Sequence, residues 1–249
     1  MEQAIVDLTE IAPGIVELTM QDRVNKNTFT IGLTNELTAA FRVINENTSY
    51  KVVILKGYDN YFASGGSQEA LLSIFEGKMQ FTDSDLYSLA LNCRIPVIAA
   101  MHGHAIGGGF VFGLFCDIVV LSRECIYTTN FMKYGFTPGM GATYILPRKL
   151  GLALSEEMLL GAWNYKGADL EKRGIPFSVL SKNDVLTHAR HMAAQLAEKP
   201  RHSLITLKDH LVKDIRRDLP EVIREEVRMH ETTFHQPEVK DRILHLFGK

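Results

Sequence analysis

Fifteen residues near the middle of the chain constrain it most: Gly103-His104-Ala105-Ile106-Gly107-Gly108-Gly109-Phe110-Val111-Phe112-Gly113-Leu114-Phe115-Cys116-Asp117. They follow the apolar run Pro96 to Met101, which reads as a buried strand. Three consecutive glycines then open an apolar helical segment. Such a turn gathers bare backbone N–H groups and the positive end of a helix dipole at one point, where an oxygen gaining negative charge can sit. The same glycines also suit a tight strand-to-helix turn that needs them only for packing. No phosphate-loop lysine follows, and the spacing is not that of a dinucleotide fingerprint.

A second stretch, Tyr61-Phe62-Ala63-Ser64-Gly65-Gly66-Ser67-Gln68-Glu69-Ala70-Leu71, follows the apolar strand Val52 to Leu55 and likewise runs glycine into a helix start. Together the two stretches resemble the crotonase (enoyl-CoA hydratase/isomerase) superfamily, and the resemblance extends from about Ile5 to Phe247. It implies that two backbone amides form an oxyanion hole. By position these belong to Gly66 and to Gly108, the middle glycine of the triple run.

Hydrophobic residues at 46% and charged residues at 22% suit a globular enzyme, and a net charge of −2 argues against generic nucleic-acid binding. Cys93, Cys116 and Cys125 lack metal or redox spacing and read as reduced, mostly buried residues. Met1-Glu2-Gln3-Ala4-Ile5 has no basic region leading into an apolar one, and nowhere do 18 apolar residues run together. A cytoplasmic protein without membrane insertion is expected.

Ile5–Thr9 and Ile15–Met20 alternate around Ala12-Pro13-Gly14, a hairpin signal. Thr30 to about Asn47 has helical periodicity, Gln68 to Phe75 reads as a helix ending at Gly77, and Asp83 to Asn92 as another. Strands are expected at Ile118–Leu121 and Phe177–Leu180. The repeated strand–helix rhythm predicts an α/β fold with a parallel sheet, and the resemblance implies a spiral of ββα turns over residues 1–182. Residues 183–249 read as helical, with Val185–Ala197, Ser203–Ile215 and a further helix from Leu219 after a break at Arg216-Arg217-Asp218. By resemblance this C-terminal region covers the active site and builds a homotrimer. The alternating charges from Lys208 to Arg228 suit a solvated helix face, or a docking surface for an acidic carrier protein through Lys213, Arg216 and Arg217.

Family hydratases use two glutamates to hold and deprotonate water. Their positions carry Val111 and Phe131 here, and neither can move a proton. Two apolar residues also make the pocket dry, which disfavours hydration and glutamate-based isomerisation alike. The pair of amides still serves any reaction that passes through a thioester enolate. Decarboxylation is one, because electrons released by the departing CO2 place charge on the thioester oxygen, and one such donor is worth roughly 3–4 kcal/mol. Such a pocket wants a cation for the carboxylate and an acid to quench the carbanion.

Lys78 and His230 are the candidates. Phe75, Met79 and Phe81 suggest a partly apolar setting for Lys78, although a surface lysine and a helix-surface histidine are the plainer alternatives. With both glutamates absent, a Lys after the first helix and a His late in the chain resemble the decarboxylase branch of the superfamily found in polyketide β-branching cassettes, as in bacillaene-type pathways. That resemblance implies conversion of 3-methylglutaconyl on acyl carrier protein, bound through its phosphopantetheine arm, into 3-methylcrotonyl, with no cofactor and no metal. His102 and His104 form an HxH pair without a third ligand cluster and read as structural. A double-bond isomerase using Lys78 or His230 as base, and a non-catalytic acyl-thioester-binding scaffold, remain as alternatives.

Overall fold

The N-terminal alternation closes into the expected hairpin: β1 (Val6–Ala12) pairs antiparallel with β2 (Ile15–Met20). This computed structural model describes residues 4–247; residues 1–3, which open the Met1–Ile5 stretch read above for a targeting signal, and residues 248–249 lie outside the described residues. Thr30 caps α1 (Ile31–Glu46) by accepting the Leu33 amide, and Leu33, Leu37, Phe41 and Ile44 form its buried stripe.

Three turns of a spiral follow. The first runs β3 (Val52–Lys56), β4 (Tyr61–Ala63), α2 (Gln68–Phe75) and the short α3 (Leu89–Asn92). The second runs β5 (Val97–Met101), β6 (His104–Ile106) and α4 (Gly108–Leu114). The third runs β7 (Ile118–Ser122), β8 (Ile126–Thr128), α5 (Ala142–Leu150) and α6 (Leu152–Gly161). Then come β9 (Tyr165–Lys166), α7 (Gly167–Lys172), β10 (Ser178–Leu180), α8 (Lys182–Ala197), α9 (Arg201–Thr233) and α10 (Pro237–Leu246).

The first strand of each turn joins a six-stranded sheet in the order β1-β2-β3-β5-β7-β10, parallel from β2 onward, and the second joins a smaller sheet ordered β4-β6-β8-β9. This is the ββα spiral expected from the resemblance. The main core lies on the face of the large sheet covered by α1 and α4. Val185, Ala189 and Ala193 of α8 cover the other face over Ile15, Val52, Ile54, Ile98 and Val120. All three cysteines are buried and free.

Three local expectations are corrected. Asp83–Asn92 is not one helix: 3-10 turns at Phe81–Asp83 and Leu86–Ser88 precede the single turn of α3. The Asp83 carboxylate is taken by the Gln80 amide and Ser84 caps Leu86, so local side-chain bonds divide the segment. Second, α9 runs unbroken through residues 216–218. Its buried stripe, Leu204, Lys208, Val212, Leu219, Ile223, Glu226 and His230, keeps helical spacing through Pro220, and packing outweighs the local breaker. Arg216 pairs with Asp209, and Arg217 with Asp214 and Asp218.

Third, two charges within the supposedly solvated run are buried. Glu226 is taken up below. Lys208 is 3% exposed, and its Nζ meets Asp117 Oδ2 at 2.7 Å and the Ala90 and Ile95 carbonyls at 3.0 Å each. All three ammonium protons are used, which ties α9 to the start of β5. Lys208→Ala would leave these acceptors without their donor and is expected to lower the unfolding free energy by about 3–5 kcal/mol, read from urea denaturation. Among the described residues no helix is long and apolar enough to cross a membrane.

Candidate active site

The parallel pairing of β4 with β6, Tyr61 opposite His104 and Ala63 opposite Ala105, sets the two glycine stretches side by side. Gly65 (φ +74°) and Gly107 (φ +55°) each turn the chain through a left-handed conformation just before the amides of interest. A Cβ placed on Gly65 would stand 3.2 Å from Gly108 N, so the two turns are in contact. The Phe29 amide donates to Gly65 O (2.7 Å), the Ser64 amide to Asn27 O (3.1 Å), and the Gly107 amide to Thr128 O (2.8 Å). These bonds fix the frame. Among the described residues the Gly66 and Gly108 N–H groups donate to nothing, and both are free for a ligand oxygen.

Val111 lies one turn further along α4 and is fully buried; Phe131 is 8% exposed and packs on Phe136 with ring centroids 6.3 Å apart. No carboxylate occupies either position.

His230 projects from α9 into an aromatic setting, with ring centroids of Phe81 at 5.0 Å, Phe234 at 5.1 Å and Phe136 at 6.0 Å. Its Nε2 lies 2.8 Å from Thr137 O. Only a protonated nitrogen can donate to a carbonyl, which assigns the proton to Nε2. Burial pushes the ring's pKa down to about 4, against the opposing pull of the Thr137 and Pro138 carbonyls. At neutral pH the imidazole is uncharged.

This depression carries a stability consequence. Below its ordinary pKa near 6.5 the unfolded chain takes up a proton at His230, while the folded chain resists until about pH 4. Stability from this residue is complete above pH 6.5 and declines as the pH falls, by about 2–3 kcal/mol down to about pH 4.5. Urea unfolding of the wild type and of His230→Gln at both pH values should show that component vanish in the variant.

The loop Phe136–Thr143 joins His230 to the amides. A Cβ on Gly139 would stand 3.0 Å from His230 Cε1, and one on Gly108, across the site, 2.5 Å from Met140 Sδ. Adjacent residues of one loop thus lie against the histidine and against the Cα of Gly108. Sequence reasoning missed what holds this loop. Glu226, fully buried and one helical turn before His230, accepts the Gly141 amide (2.7 Å), the Thr143 amide (3.0 Å) and the Thr143 hydroxyl (2.6 Å). Burial raises its carboxyl pKa, opposed by those same bonds. The signal was available as an acid at i−4 from the histidine on one apolar stripe.

Lys78 departs from its expected apolar setting. Its side chain is 72% exposed, and Nζ pairs with Glu76 Oε2 at 2.6 Å. Gly77 (φ +69°) ends α2 and turns the lysine outward beside Glu76. Its neighbours Gly77, Met79 and Gln80 line a cleft of about 70 Å³ that also contains His230 and Phe81, so Lys78 stands at the rim. A larger cleft of about 480 Å³, between α1 and the 85–94 segment, includes none of these groups and is not the site.

His104 Nδ1 accepts the Ile126 amide at 2.9 Å, and His102 Nδ1 lies 3.3 Å from Ala100 O. Both rings serve the backbone. Among the described residues no cluster of three metal-ligating side chains forms.

Comparison with known proteins places the chain in a family. The enoyl-CoA hydratase/isomerase family matches residues 10–247. Bacillaene synthase decarboxylase PksI of Bacillus subtilis (strain 168) is 62% identical over 248 residues, covering 100% of both chains. A solved structure of a dehydratase/decarboxylase enzyme couple involved in polyketide beta-branching has a chain with TM-score 0.98 and 62% identity, covering 98% of this chain and 100% of that one. The ECH2 decarboxylase domain of CurF from Lyngbya majuscula gives TM-score 0.95 and 46% identity, again covering 98% and 100%.

Proposed function

The chain belongs to the enoyl-CoA hydratase/isomerase family, and from that premise we propose that it removes CO2 from 3-methylglutaconyl held as a thioester on acyl carrier protein, giving 3-methylcrotonyl in polyketide β-branching. It is a decarboxylase of this fold and not a hydratase. One observation carries the reading: two free amides flank a site whose two carboxylate positions hold Val111 and Phe131. The identity to a decarboxylase supports it.

The Gly66 and Gly108 amides hold the thioester oxygen. The substrate arrives ionised, so no base is required. When the bond between the γ-carbon and the carboxylate breaks, its electron pair spreads into a dienolate whose charge falls on that oxygen. His230 exchanges its bond to the Thr137 carbonyl for one from Nε2–H to the carboxylate, Lys78 pairs with the same group so that it stands out of the acyl plane, and Lys78 protonates the γ-carbon. This assignment suits the free protein, where His230 is uncharged and the rim lysine is open to solvent. Lys78 reaches the acyl group by rotation about Gly77, where an added Cβ would meet nothing within 4 Å. Val111 and Phe131 keep water from the intermediate. Assembly as a homotrimer and action in the cytoplasm complete the reading.

Mass spectrometry of 3-methylglutaconyl-loaded carrier protein tests it. Loss of one CO2, far faster than in the blank, is expected. An unchanged acyl mass would overturn decarboxylation, and a gain of one water would overturn the argument from Val111 and Phe131.

A further inference from the structure

Met140 has a backbone conformation that side chains rarely adopt, φ +63°, and it stands between Gly139 and Gly141. Glycine would take this position without strain. A methionine kept at such a place beside a reaction site is a reason to ask what its side chain does. The backbone is fixed from both sides: Gly139 abuts His230 and Phe81, while the Gly141 amide is held by Glu226. The loop therefore cannot relax to release the methionine.

The side chain lies where the acyl group must pass. Its Sδ occupies the space directly off Cα of Gly108, flanked by the edge of Phe29, which a Cβ on Gly108 would meet at 3.5 Å. A carbonyl oxygen held by the Gly108 amide brings the first carbons of its acyl chain into contact with that thioether. Met140 is only partly buried and packs against the core, so it forms a wall with part of its surface open. A thioether on a flexible stem is well suited to lie along a flat conjugated acyl group and to fill the room left by a small branch.

We infer that Met140 is the specificity-determining side chain of the acyl pocket, shaping it for a methyl branch on the β-carbon. The inference rests on the proposed reaction for its substrate class. A side-chain wall and a loop that merely needs its shape make different forecasts, because Met140→Ala removes the thioether while leaving the left-handed backbone requirement in place, and Met140→Gly removes both.

The test measures binding by calorimetry, independent of turnover, with two product-shaped probes: 3-methylcrotonyl-pantetheine and its homologue with ethyl in place of one methyl. Wild type should prefer the methyl probe. Both Met140→Ala and Met140→Gly should shift that preference toward the ethyl probe by about tenfold or more, the discrimination one methylene gives in an apolar pocket, and Met140→Leu should keep it. Equal weakening for both probes, with the ratio unchanged, would overturn the inference. Wild-type turnover of 3-methylglutaconyl carrier protein is followed in parallel. An inert wild type with a shifted binding ratio would sink the proposed reaction and leave Met140 as the selector; an active wild type with an unshifted ratio would do the reverse.

Discussion

Lys78→Ala is expected to cut decarboxylation by about 10²–10⁴-fold, the range of a positioned acid, with no change in thermal unfolding. The second half makes the first informative. In the free protein the Lys78 side chain is 72% exposed and pairs with Glu76, so its removal takes nothing from the core. Substitutions of that kind are normally silent. A large loss of turnover would mean that the ammonium enters the cleft when substrate is bound. Lys78→Arg keeps the charge but gives up its proton far less readily; it should bind the loaded carrier protein yet turn it over slowly. His230→Ala should also lower turnover by orders of magnitude, but here with some loss of stability, because the Thr137 carbonyl loses its donor and three aromatic rings lose a neighbour. Near-wild-type rates in both alanine variants would remove the two residues from the mechanism.

The contrast between these side chains marks what could be read from the sequence. The glycine stretches were legible because each needs glycine for local reasons, a left-handed turn or a close approach, and local requirements leave a local signature. The large sheet was legible through its apolar runs, and α2 falls where the pattern placed it, at Gln68–Phe75. The small sheet was harder. β6, β8 and β9 have two or three residues each, too short for a period, and they exist because the spiral brings them into register. Lys208 and Glu226 were misread for a related reason. Charge predicts solvent unless acceptors or donors distant in sequence await it, here Asp117 and Ala90 for the lysine, Gly141 and Thr143 for the glutamate. Lys78 was given an apolar setting because Phe75, Met79 and Phe81 are close in sequence. The turn at Gly77 separates them in space: Phe81 packs on His230, while the lysine faces water.

Gly109→Ala should remove activity through the backbone alone, without touching any side chain assigned to the chemistry. A Cβ at Gly109 would come 2.6 Å from the carbonyl carbon of Ala63 and 2.9 Å from its Cβ. Those atoms belong to β4, which is pinned to β6 and cannot step aside. The first turn of α4 must move instead, carrying the Gly108 N–H away from Gly66. Losing one oxyanion donor lowers turnover about 10²–10³-fold, and displacement on the scale of an ångström is enough. Overpacking adds a stability loss of about 1–3 kcal/mol. Gly108→Ala is the informative partner. Its new methyl meets chiefly the end of a flexible methionine, Met140 Sδ, and its own N–H survives, so the fold should hold and activity should fall less than in Gly109→Ala. Turnover by mass spectrometry and thermal unfolding of both variants check the pair. If Gly109→Ala folds and keeps wild-type turnover, the Gly108 amide does not bear the developing charge, and the reaction must be stabilised elsewhere in the cleft.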